Sequence, residues 1–447
     1  MTSSVGTAAS GGTGPPSGST ASARTAPSAG PASHEPDASV VTVEPSLALY
    51  VHMPWCVRKC PYCDFNSHQL KSAAPDSSYI GALIRDFDLE LPSVGGRRID
   101  TVFFGGGTPS LFQPEDFSRL LGAFRQRIEF AHDVEITLEA NPGTIERGRF
   151  AGYRDAGINR VSLGAQTFAP RALEALGRVH SADDTHRAVA ELRAAKLGNF
   201  NLDLMYALPR QTPEEALEDV RIACVLEPRH ISYYQLTLEP GTVFHARPPV
   251  LPDEEAAWRI QTAGQKLLAD AGYVQYEVSA YARDGARCRH NLNYWLFGDY
   301  LGIGAGAHGK VSFELPQRIL RTVKPKQPRD YLEQVRRAGS DVGAGSSLGA
   351  GLDADADVGA GNRAGIGESS LIAAADLPFE FMLNALRLNE GFTIRDYQRR
   401  TGLQMASVEG KLAEGEARGL LVRRGDGWHP TELGRRFLND LQGSFLS

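Results

Sequence analysis

Between residues 47 and 238 the chain repeats one pattern six times: a short run that reads as a strand, then a segment that reads as a helix. The strands are expected over "LALYV" (47–51), "TVFFGG" (101–106), "VEITLEA" (134–140), "RVSLGAQ" (160–166), "NFNLDLMYAL" (199–208) and "HISYYQLTL" (230–238). Helices are expected between them, as over "YIGALIRDFDLEL" (79–91) and "TPEEALEDVRIACVL" (212–226). Thr212 heads the second as an N-cap, and the acids that follow it oppose the helix dipole. Strand–helix units in series imply an α/β fold with a parallel sheet, either doubly wound or a partial (β/α)6 barrel. Tyr50, Glu139, Gln166 and Asp203 lie at or near the C-terminal ends or inner faces of these strands, and a "GGGTPS" turn follows the second. An open sheet gathers ligands at one switch point, whereas a barrel brings all strand ends to one mouth. Contributions from five strands therefore favour a partial barrel, placed over residues 46–310.

Two stretches cannot form a core. Residues 1–45 are rich in Ser, Thr, Gly, Ala and Pro and are read as a disordered tail, with a transit peptide as the lesser alternative. Residues 338–370 hold no aromatic side chain and read as a disordered insertion in a connecting segment, 311–370. From 371 to 447 the pattern becomes helical, then ends on a hairpin, "VRRGDGWHPT", as in a small winged-helix-like domain. Its Arg395, Arg399, Arg400, Arg423 and Arg424 could face DNA, but Asp396, Glu409, Glu414 and Glu416 are interleaved with them. A lid packed on the barrel is the better reading, with no nucleic-acid partner.

The formal charge of −6 gives no overall pull toward nucleic acid or anionic lipid. No run of 18 apolar residues and no secretory signal pattern is present, and five cysteines do not read as a secreted disulfide framework, so a cytoplasmic setting is expected. Three of the five, Cys56, Cys60 and Cys63, are spaced C-x3-C-x2-C in the loop after the first strand. Zinc usually takes four ligands, and no second pair accompanies them. Three thiolates can instead hold three corners of a [4Fe–4S] cube and leave one iron open. Cys224 reads as core filler.

In this position, with Tyr62 before the last cysteine, the motif resembles the radical S-adenosylmethionine (SAM) superfamily. "YVHMPWCVRKCPYCDF", "FFGGGTPS", "LEANPGT", "RVSLGAQTF", "DLMYALP" and "HNLNYW", in that order, are similar to the oxygen-independent coproporphyrinogen III oxidase group. Oxidase members carry a fourth cysteine two residues after the third; here that position is Phe65. Phe at this place resembles the HemW-type branch, whose members act as heme chaperones. The resemblance implies a [4Fe–4S] cluster, SAM and heme as cofactors, with transfer of heme to acceptor heme proteins such as respiratory ones. It also implies no coproporphyrinogen oxidase activity. The alternative is a radical SAM oxidoreductase acting on a tetrapyrrole such as coproporphyrinogen III.

By the same resemblance, Tyr50, Gly106 and Glu139 match contacts of the SAM nearest the cluster. Gly107, Thr108, Gln166, Arg178 and Asp203 match contacts of a second SAM. The glycines of the turn suit close backbone approach and free N–H donors. For heme, "CRHNLNYWLFGDY" (288–300) offers His290 as the leading axial ligand, with Tyr294 and Trp295 as walls. His308, His52 and Cys288 are lesser candidates; His52 fits a support of the cluster loop and His308 a lining of the SAM pocket. Peripheral contact with the inner face of the cell membrane, and a monomer or a dimer, are both compatible with this reading.

Overall fold

Each expected strand forms, and the first, fourth and fifth are buried along nearly their whole length, as strands covered on both faces must be. They are β1 (Leu47–Met53), β2 (Ile99–Gly106), β3 (Phe130–Ala140), β4 (Arg160–Gln166), β5 (Phe200–Tyr206) and β6 (His230–Gln235). The computed structural model describes residues 45–71, 75, 77–143, 148–313, 318–341 and 366–446. The expected tail lies outside these up to residue 44, as do residues 342–365 of the expected insertion. The helix at 212–226 forms as Pro213–Val225, capped as its sequence requires. Thr212 Oγ1 accepts from the Glu215 amide at 3.2 Å, and the Glu215 carboxylate accepts from the Thr212 amide at 2.9 Å.

The sheet is wider than six strands and is mixed. After β6 come β7 (Val274–Gln275), β8 (Ala280–Ala282), β9 (Asp299–Ile303), β10 (His308–Phe313), β11 (Arg318–Val323) and β12 (Glu368–Leu371). Their spatial order is β12-β11-β10-β9-β1-β2-β3-β4-β5-β6-β8-β7. β9 pairs parallel with β1, which makes seven parallel strands. Antiparallel strands extend both sides, and the sheet does not close. The stretch expected as a connection is thus partly sheet: β11 and β12 pair within it, and the helix Pro328–Asp341 runs into the low-complexity segment.

After residue 371 the helices Leu377–Ala385, Ile394–Thr401 and Glu409–Ala417 precede the hairpin Leu421–Arg424/Gly427–Pro430. Phe392–Thr393 adds a third strand beside Gly427–Pro430, giving the small sheet of a winged-helix-like unit. This part shares an apolar core with the large sheet: Phe297 and Phe381 pack with ring centroids 5.6 Å apart, and Ile319 joins them. An Arg321–Glu380 ion pair crosses the same contact.

Charge is buried where β9 meets its neighbours. Asp299, fully buried, pairs with Lys310 at 2.9 Å and with Arg97 at 2.8 Å. Burial pushes the Asp299 carboxyl up, but the two cations outweigh it and hold it below the ordinary range. Removing one partner of such a group strands charge in the interior. Asp299→Ala is expected to lower unfolding stability by about 3–5 kcal/mol, measured by chemical denaturation.

Candidate functional site

The C-terminal ends of β1–β6 open on a cavity of about 390 Å³. Cys56, Cys60 and Cys63 line one side of it, on the loop that leaves β1. The loop is fastened from both directions. The Gly107 amide donates to Met53 O and the Thr108 amide to Trp55 O, both at 2.8 Å. His52 Nε2 donates to Asn66 O at 2.9 Å, so its Nδ1 accepts from Tyr50 Oη at 2.9 Å. Burial pushes the His52 pKa down to about 4, which keeps it neutral for that role. His52 therefore supports the cluster loop, as its position in the sequence implied.

Two glycines make this approach feasible. A Cβ on Gly107 would stand 2.6 Å from Trp55 O, and one on Gly106, at φ +112°, would meet the His52 ring at 2.4 Å. The amides of this turn are not free, however. Gly106 N–H donates to Glu139 Oε2 at 3.1 Å, and the next two hold the cluster loop. The expectation that the turn offers N–H donors to a ligand is corrected: they are spent on building the site.

Each sulfur has a polar neighbour. Thr108 Oγ1 lies 3.4 Å from Cys56 Sγ, Arg178 Nη1 lies 3.8 Å from Cys60 Sγ, and Ser67 Oγ lies 3.6 Å from Cys63 Sγ. Asn141 links the first two, donating to Thr108 Oγ1 at 3.1 Å and accepting from Arg178. Burial raises the Cys56 and Cys63 thiols, so loading requires a metal that displaces the protons. Among the described residues no three His, Cys, Asp or Glu side chains stand close enough to hold a single metal ion. Three half-buried thiols around one cavity fit a cluster whose thiolates bind different irons, with hydrogen bonds to sulfur that tune it.

Across the cavity lie Glu139, Gln166, Arg178 and Asp203, beside Gly106, Gly107 and Thr108. Burial, then the charge of Asp203, pushes the Glu139 pKa up to about 8. Asp203 accepts from Ser162 at 3.1 Å and from Asn201 at 2.8 Å. Gln166 sits at φ +66°, a strained conformation for a non-glycine residue, and accepts from Tyr234 Oη at 2.7 Å. Tyr50 faces a second, deeper cavity of about 220 Å³, which shares Glu139 and Asp203 with the first.

The heme-ligand residues fall elsewhere. His290 is 1% exposed, on the short helix Arg289–Trp295. Its Nδ1 bonds Thr101 Oγ1 and its Nε2 bonds Tyr294 Oη, both at 2.9 Å. With no ring nitrogen free, and bordering only the chamber of about 220 Å³, which is too small for a macrocycle, His290 lacks the placement of an axial ligand. Tyr294 is packed edge-on against His290 and Tyr300 and lines that same small chamber, and Trp295 lies under Arg387. Cys288 is wholly buried, with its thiol pushed up to about 12. His308 is exposed at the start of β10 and does not line the cavity, which corrects its expected place in the SAM pocket. Cys224 packs on the main core from its helix, away from the other thiols. Sequence reasoning missed Asn141, although it stands inside the quoted "LEANPGT".

Anaerobic reconstitution should load about four irons per chain. Cys56→Ala, Cys60→Ala or Cys63→Ala should each abolish the cluster absorption, and Cys224→Ala should leave it. A carboxyl at about 8 is mostly protonated at neutral pH, and only its ionised form pairs with a cation. SAM affinity, measured by calorimetry, should therefore rise as pH increases toward 8 and then level, and Glu139→Gln should flatten that profile.

Residues 50–223 match the radical SAM superfamily, and residues 372–437 match the HemN C-terminal domain. The chain is 46% identical over 403 residues to the heme chaperone HemW of Escherichia coli (strain K12), covering 90% of this chain and 99% of that protein. It is 45% identical over 407 residues to the heme chaperone HemW of Haemophilus influenzae, covering 90% and 98%. Among solved structures, the coproporphyrinogen III oxidase (HemN) of Escherichia coli superposes with a TM-score of 0.72 at 22% identity, over 91% of both chains. That likeness shows the fold, and the sequence identities carry the assignment further: the chain belongs to the HemW family within the radical SAM superfamily.

Proposed function

We propose that this chain is a heme chaperone, which binds heme and passes it to acceptor heme proteins, respiratory ones among them. It does so on a scaffold that carries a [4Fe–4S] cluster and SAM. The observation that carries this reading is Phe65, standing where the oxidases have their fourth cysteine. Its ring is 60% exposed and lines the cluster cavity. Val57, on the same loop, is 41% exposed. Phe65 puts an exposed apolar ring at the mouth, which suits contact with a macrocycle. A [4Fe–4S] cluster supplies an open iron that can coordinate SAM. Around it Glu139 is placed to pair with a cationic group, Arg178 to hold Cys60 and a carboxylate, and Asp203 to accept from hydroxyls. Whether one SAM or two occupies these residues follows from a stoichiometry measurement on the reconstituted protein.

Among the described residues no helix is long and apolar enough to cross a membrane. We place the activity in the cytoplasm, with acceptors met there or at the inner face of the membrane. For the axial ligand, His308 replaces His290: of the four side chains first considered, it alone is exposed.

The test is anaerobic incubation with coproporphyrinogen III, SAM and reductant, beside a heme titration. The protein should bind heme and leave the porphyrinogen unchanged; turnover would refute the proposal. Phe65→Cys should not gain decarboxylation, because substrate placement depends on the whole mouth and about 1 Å of error costs roughly 100-fold in rate. His290→Ala should lower unfolding stability by about 1–3 kcal/mol through its two lost hydrogen bonds, while His308→Ala shifts the Soret band.

A further inference from the structure

Below the cluster cavity, the chamber of about 220 Å³ is lined by a buried guanidinium that no protein group hydrogen-bonds among the described residues. Arg160, the first residue of β4, points into it and is 2% exposed. Its side chain makes no hydrogen bond or ion pair among the described residues, and its buried Nε is unsatisfied. Against burial, Glu135 and Asp203 answer its charge through space and hold its pKa up, but a buried N–H without an acceptor still costs free energy.

The nearby acids act on Arg160 only through space, because their hydrogen bonds are made with other groups. Glu135 accepts from the His290 amide at 3.1 Å and from Cys288. Asp203 is held by Ser162 and Asn201, and Glu139 by the Gly106 amide. Asn201 Oδ1 is in turn taken by His230 at 2.6 Å and by Ser232 at 3.2 Å. The side chain of Asn291, which also lines the chamber, makes no hydrogen bond among the described residues. One guanidinium and one amide without hydrogen-bond partners thus face a space that suits a group of a few heavy atoms and is too small for a macrocycle.

We propose that this chamber is a carboxylate-binding site, with Arg160 as the anchoring residue and Asn291 as a second donor. The fork of N–H groups on Arg160 matches a planar carboxylate. The chamber shares Glu139, Ser162, Asp203 and Ser232 with the cluster cavity above, so the two spaces adjoin. The carboxylate belongs either to a free small acid or to an arm of a larger molecule seated in the cavity above.

Sodium propionate is the probe for the free acid, titrated into the full-length protein against sodium chloride at equal ionic strength and against propionamide. Propionate should raise the unfolding midpoint saturably by about 3 °C in the wild type. Propionamide should not, Arg160→Gln should lose the shift, and Arg160→Lys should keep part of it. An equal response to propionamide, an unchanged shift in Arg160→Gln, or no shift at all would overturn the site and leave an internal water network only. Should Arg160→Gln fail to fold, the propionate–propionamide comparison on the wild type decides alone. Heme and its dimethyl ester separate the two sources. A preference of about tenfold for the free acid that vanishes in Arg160→Gln assigns the carboxylate to the tetrapyrrole; equal affinities assign it to a free acid. The propionate arm does not depend on heme binding, so failure of the chaperone reading would be seen separately.

Discussion

The site rests on one close backbone contact: the turn after β2 pressed against the loop that leaves β1. Two amides of the turn hold Met53 O and Trp55 O, and that contact fixes where Cys56 begins its path around the cavity. A side chain at Gly107 would occupy the space where Trp55 O sits. From there the remaining supports follow in order. Thr108, carried on the same turn, reaches Cys56; Asn141 reaches Thr108; Arg178 reaches Asn141 and Cys60. One chain of hydrogen bonds thus spans three strands and ties two of the three sulfurs to a common frame. Such a chain sets sulfur positions more narrowly than a loop could by itself.

The polar interior of the sheet has a cost that the fold answers in two ways. At the edge near β9, Asp299 is buried with two cations and is fully compensated. Asp86 is treated alike: it accepts from Lys324 at 2.7 Å, Tyr331 at 2.9 Å and the Gly304 amide at 3.0 Å. These groups hold elements together. Inside the barrel the balance is left incomplete. Glu139 is raised toward 8, and Arg160, though Glu135 and Asp203 face it, has no hydrogen-bond partner for its buried Nε. Incomplete hydrogen bonding in a cavity is what a ligand-binding interior shows, since the ligand supplies the missing acceptor.

Much of this was legible in the chain. The six strands, the Thr212 cap and the convergence of Glu139, Gln166 and Asp203 on one mouth follow from local period and order, which neighbouring residues set. The seventh parallel strand was not, because β9 is five residues long and pairs with β1 across some 250 residues of chain, a match that no local pattern encodes. The pairing of β11 with β12 was hidden likewise, by the low-complexity segment between them. His290 misled for a different reason. A histidine beside aromatics reads alike as a ligand in a slot or as a buried side chain with both nitrogens bonded, and only its partners, Thr101 and Tyr294, tell the two apart. Arg160 was read as part of a strand motif; that it stands unpaired in a chamber depends on what every other polar group has already bonded.

The claim that matters most is that the cluster mouth, with Phe65 exposed at it, serves carriage rather than turnover. It is tested by loading the reconstituted protein with heme, adding an apo-heme protein, and following the Soret band as the acceptor fills. The account predicts that heme leaves this chain unaltered and appears in the acceptor in equal amount. Heme that stays bound in the presence of excess acceptor, or that is recovered chemically changed, would contradict it.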